Sequence, residues 1–141
     1  MAISGRYEFK NKGIDIFIDA LGKLNTRSDY KHNIVGFILV PNFNYGPRKC
    51  VADRMADSNV RIPDERITTH ALNPDYYDPV MDKTHQLQLT NNQGQQVNVV
   101  LVPVYLNGND GIFNMSYYNL LSGFDLTAFP SYYEPWGLHT A

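Results

Sequence analysis

Three stretches of the chain gather residue types that could do chemistry. The first, Gly5-Arg6-Tyr7-Glu8-Phe9-Lys10-Asn11-Lys12-Gly13, brackets Arg6, Lys10 and Lys12 between two glycines, and an amphipathic segment starts at the second. Cationic side chains in a loop that feeds a helix amino end suit a phosphate, because backbone N–H groups and the helix dipole add to their charge. The second, Pro130 to Gly137, surrounds Glu134 with Tyr132, Tyr133 and Trp136. Pro135 suits the first turn of a helix, so Glu134 stands at its start with the amides of Trp136, Gly137 and Leu138 beyond it. A carboxylate there is a helix cap, and with aromatic planes and amides beside it the same arrangement also describes a sugar-phosphate site. The third, Leu106 to Gly111, holds Asn107, Asn109 and Asp110 but lacks the downstream bidentate glutamate of a calcium loop, and reads as a turn. His32, His70, His85 and His139 stand without ligand spacing, so no protein-held metal and no cofactor is expected.

These loops need elements to position them. Apolar runs at Ala2–Gly5, Ile34–Val40, Val97–Val104 and Leu126–Phe129 suit strands buried on both faces, the last two ending near Pro103 and Pro130. Ile14, Phe17, Ile18, Leu21 and Leu24 fall at helical spacing, and further helices are expected over Lys49–Ala56, Met115–Leu121 and near Val80–Leu87. Strands alternating with helices predict an α/β fold, a Rossmann-like parallel sheet with flanking helices, in a single domain over residues 1–141. The polar stretch of about residues 57–96 reads as an insertion, either with a function of its own or as a flexible cover. In such a sheet ligands bind outside the carboxyl ends of the strands, where all three loops lie.

The totals narrow the function. A chain of 141 residues with net charge −2 and pI near 6.0 gives no electrostatic reason to bind nucleic acid or an anionic membrane. It has no apolar run of spanning length, no signal-peptide pattern at Met1–Lys10 and one cysteine, Cys50, which together predict a cytoplasmic location. Asn114-Met115-Ser116 fits a glycosylation acceptor and is read as a chance match.

Two blocks, Ser4–Asp15 with "GRYEFKNKGID" and Phe124–Gly137 with "FPSYYEPWG", resemble the glycogen synthases of the animal and fungal type and their bacterial relatives. The resemblance implies part of the C-terminal, donor-binding domain of a two-domain (GT-B) retaining glycosyltransferase. Such an enzyme moves glucose from UDP-glucose or ADP-glucose to the non-reducing end of an α-1,4-glucan. It implies Arg6 and Lys12 on the donor diphosphate, Tyr117 stacked on the base, Glu134 on the transferred glucose, and the amides of Gly137 and Leu138 facing the phosphate. Leu138 departs from the tyrosine usual there. The family's second motif glutamate would fall at position 142, so the sequence reads as a piece of a larger enzyme, expected to be inactive without the rest of its parent and to self-associate through uncovered apolar surface. A non-catalytic nucleotide-sugar or glucan binding module is the alternative. A phosphorylase-like use of a related fold is a further one, but no lysine has a recognised pyridoxal phosphate context.

Overall fold

The computed structural model describes residues 1–27, 29, 33–59, 67–89, 91 and 95–130. Its elements run β1 (Ala2–Ser4), α1 (Ile14–Thr26), β2 (Ile34–Leu39), α2 (Lys49–Ala56), α3 (Pro79–Gln86), β3 (Val97–Val102), α4 (Tyr117–Leu121) and β4 (Thr127–Ala128). The four strands form one sheet in the order β3-β2-β1-β4, every pair parallel, as the alternation of strands and helices predicts. Ile3 pairs with Ile38 on one side and Ala128 on the other, so β1, only three residues long, holds the centre.

Local chemistry sets the ends of these elements. The third strand stops at Val102, as expected of a run that meets Pro103, which has no N–H for the ladder; its carbonyl instead accepts from Asn42 N–H and from Asn44 Nδ2. Helix α4 starts at Tyr117, two residues after the expected Met115, where the Ser116 hydroxyl accepts from Asn119 N–H. Asp78 caps α3 in the same way through Met81 N–H, with Pro79 in the first turn. The helix expected near Pro135 lies outside the described residues.

Helix α1 lays Ile14, Phe17, Ile18 and Leu21 on one face of the sheet, beside Ile3, Ile38, Val99 and Leu101. At Gly36 of β2 an added Cβ would stand 2.5 Å from a Leu21 methyl, so the glycine makes room for the helix. Within the polar stretch, residues 67–89 supply buried Ile67, Val80 and Leu89, and Thr68 forms a parallel bridge to Leu101 beside β3. Helix α3 rests on α1, with Lys83 3.0 Å from Asp19 and Leu87 over Gly22. The opposite face of the sheet is covered more thinly, by Phe113 and Phe124 against Phe37. No described helix is long and apolar enough to cross a membrane.

Leu21 is fully buried where α1 meets Gly36 of β2. Leu21→Ala is therefore expected to cost about 2–5 kcal/mol in urea unfolding with an unchanged slope, whereas a cost below roughly 1 kcal/mol would mean that α1 does not close this core.

Candidate functional site

The strand order reverses between β1 and β4, and in open parallel sheets the crevice beyond such a reversal is where ligands sit. The loop leaving β1, residues 5–13, is folded by its own backbone. Lys12 N–H donates to the Glu8 carbonyl at 2.9 Å and Gly13 N–H to the Lys10 carbonyl at 3.0 Å, while Asn11 Nδ2 donates to the Glu8 carboxylate at 2.8 Å. Gly13 turns the chain into α1 from the left-handed region, at φ 71°, a conformation that costs other residues strain.

That glycine has a second reason. A Cβ on it would stand 2.2 Å from the Pro130 carbonyl oxygen, so the chain leaving β4 lies directly against the start of α1. The two sequence blocks, far apart in the chain, thus meet at the switch point through Gly13 and Pro130. Arg6 reaches into solvent, its guanidinium 4.0 Å from Glu8 Oε1, an exposed pair of small energetic weight that leaves the cation available to an anion. Lys10 is exposed and Lys12 half-buried in the same loop. The amides of the first helical turn are largely engaged: Asp15 N–H donates to the Phe9 carbonyl and Ile16 N–H to the Asp15 carboxylate. The loop accordingly presents its side-chain cations more than free amides of the helix end.

Tyr117 comes to the same end of the sheet. Its hydroxyl bonds the Ser4 hydroxyl at 2.5 Å, which fixes the ring over the carboxyl end of β1. A cavity of about 320 Å³ opens there, lined by Gly5, Leu39, Pro41, Leu106, Asn107 and Tyr117. The loop that carries Arg6 and Lys12 thus leaves β1 at Gly5, which lines the same cavity as Tyr117, while Glu134, Gly137 and Leu138 lie outside the described residues.

Two residues to which the sequence assigned no site role, His70 and Asp110, build the turn before Tyr117. His70 is buried; its Nε2 donates to the Asp110 carbonyl at 2.7 Å, and its Nδ1 faces the Thr69 hydroxyl at 2.8 Å. The Asp110 carboxylate, buried as well, accepts from the amides of Ile112, Phe113 and Asn114, so the expected turn is built on an acid engaged by backbone. Tyr117 N–H then donates to the Leu106 carbonyl and closes the loop that carries it. The only signal in the sequence was Asp110 beside glycine in a turn; nothing marked His70 as its partner. Among the described residues no group of three or more His, Cys, Asp or Glu side chains could hold a metal ion.

The remaining link is Tyr7. Its hydroxyl donates to Asp78 Oδ1 at 2.5 Å and accepts from Val80 N–H at 3.2 Å. Burial pushes the phenol up, and the neighbouring carboxylate pushes it further, so it stays protonated well above the usual tyrosine range.

Fold and site together define a Rossmann-like α/β sheet with a cationic loop and an aromatic ring at the carboxyl end of β1. The glycogen synthase family model matches residues 1–46 and 47–141, and the chain belongs to that family. The liver glycogen [starch] synthase of Mus musculus is 31% identical over 186 positions, covering 96% of this chain and 26% of that protein. Isoform 2 of Saccharomyces cerevisiae is 29% identical over 196 positions, with 96% and 28% covered, and the Neurospora crassa enzyme is 25% identical over 189. The chain thus spans little more than a quarter of the length of these relatives. Because the alignments run longer than the 141 residues here, the relatives carry stretches that this chain lacks. The two matched stretches meet at Gly46-Pro47, in the loop after β2.

Gly13→Ala is expected to lower stability by on the order of 2 kcal/mol or more, since strain at positive φ adds to a clash with backbone that cannot rotate away. A Tm unchanged within about 2 °C, against an expected fall of about 5 °C or more, would separate the β4 exit from α1.

Proposed function

We propose that the chain is the donor-binding part of a retaining glucosyltransferase of the glycogen synthase type. It would hold a nucleoside diphosphate glucose while the whole enzyme passes glucose to the non-reducing end of an α-1,4-glucan in the cytoplasm. The observation that carries this reading is the convergence of the 5–13 loop and Tyr117 on the carboxyl end of β1, in a member of the glycogen synthase family.

The chemistry follows from where charge develops. As the anomeric C–O bond breaks, negative charge moves onto the leaving diphosphate, and Arg6 and Lys12 stabilise it most strongly once the rest of the enzyme excludes water. Tyr117, anchored by Ser4, presents a rigid ring beside the cavity for the base to stack on, which suits uracil and adenine alike. Glu134 orients the glucose by accepting hydrogen bonds from its hydroxyls. With the acceptor side supplied by other parts of the enzyme, this chain alone binds donor without turning it over.

Calorimetric titration with UDP, UDP-glucose and ADP-glucose tests the reading. Arg6→Ala with Lys12→Ala is expected to weaken UDP by about 10- to 100-fold for each charge-assisted hydrogen bond removed. Tyr117→Ala is expected to weaken it by about 5- to 150-fold, the worth of one stacked base. Binding of equal strength in the Arg6, Lys12 double variant would remove the diphosphate from this loop and sink the proposal.

A further inference from the structure

The polar segment expected as an insertion sends one carboxylate into the phosphate loop. Asp78 stands at the amino end of α3, where Oδ1 accepts from Met81 N–H at 3.0 Å and from the Tyr7 hydroxyl at 2.5 Å. Tyr7 is the residue between Arg6 and Glu8, so its ring fixes the middle of the cationic loop. The same hydroxyl accepts from Val80 N–H at 3.2 Å, which leaves it bound on both its donor and acceptor sides. Helix α3 is itself held on α1 by the Lys83–Asp19 pair and by Leu87 over Gly22. Loop, α3 and α1 therefore close a ring of contacts around the segment that bears Arg6 and Lys12.

Besides this ring the loop is ordered by its local turns, by Phe9 packed against the core and by Gly13 against Pro130, and none of these holds the Arg6 stretch from the α3 side; the Arg6–Glu8 pair is too exposed to add much. Holding several cations on one diphosphate demands a fixed backbone, because small misplacements cost large factors in affinity. We infer that Tyr7 and Asp78 are positioning residues for the donor diphosphate, Asp78 reaching from the start of α3 to set the loop that carries Arg6 and Lys12. The inference rests on the donor-binding reading above and adds a role for the 67–89 segment within it. Neither residue touches the donor itself; each acts through the loop.

Two substitutions separate positioning from plain stability. Tyr7→Phe keeps the ring in the core and removes the hydroxyl, while Asp78→Ser keeps an N-cap acceptor for α3 and is too short to reach Tyr7. In the full chain, each is expected to weaken UDP about 10-fold while leaving the binding of uridine, which has no phosphate, unchanged in a chemical-shift titration. The double variant is expected to weaken UDP no more than either single one, because both break one link. Amide exchange without ligand gives a second readout: the Lys12 and Gly13 amides should exchange faster in both variants, with the β2 and β3 amides unchanged. Wild-type affinity for UDP in Tyr7→Phe, equal weakening of UDP and uridine, or undisturbed exchange at Lys12 and Gly13 would overturn the inference while the donor reading stands. Absence of UDP binding by the folded wild-type chain would overturn both.

Discussion

The parallel pairing of Ala2–Ser4 with two neighbours at once is the constraint on which the other features depend. A three-residue strand contributes few backbone bonds, yet β2 and β4 both take their register from it, and its side chains are buried. Parallel strands buried on both faces require cover above and below, which α1 and α3 supply on one face and Phe113 and Phe124 on the other. With β1 central and the order reversing beside it, its carboxyl end becomes the floor of a crevice. Ser4 closes β1 and anchors Tyr117, and Gly5 starts the cationic loop, so adjacent residues hand the chain to two parts of the site.

The division of labour around that floor is electrostatic on one side and steric on the other. Arg6, Lys10 and Lys12 offer charge from a loop whose own backbone takes up most of the nearby amides. Tyr117 offers a plane held by its hydroxyl on Ser4 and its backbone N–H on the Leu106 carbonyl, at the end of a loop that a buried His70–Asp110 contact ties to the core. Buried polar groups of this kind are costly when unpaired and rigid when satisfied, so the loop from Leu106 to Ser116 is a scaffold despite its lack of regular structure.

Much of this was legible in the sequence. The apolar runs at Ala2, Ile34 and Val97 and the spacing of Ile14, Phe17, Ile18 and Leu21 predicted the strands and first helix nearly to the residue, because side-chain period and burial express the same physics. Gly13 was legible as the start of α1. Its closeness to Pro130 was not, since that contact joins positions more than a hundred residues apart in the chain. The residues around 67–89 read as part of a polar insertion, with one helix near Val80–Leu87, because the stretch is polar on average. Burial is decided residue by residue, however, and Ile67, His70, Val80 and Leu89 are packed inside while their neighbours face water.

The sequence by itself determined the fold class, the order of the elements and the residue types in the loops, because periodicity, proline and glycine act over a few positions. The glycogen synthase family was legible there as well, because the two blocks are long and unusual in composition. Only the tertiary structure decided which residues stand together: Tyr117 over Ser4, His70 under Asp110, Asp78 on Tyr7. Those pairs span 113, 40 and 71 positions of the chain. No local propensity acts over such separations; closing the sheet and burying its faces brings them into contact, at a loop-closure cost that only the packed core offsets.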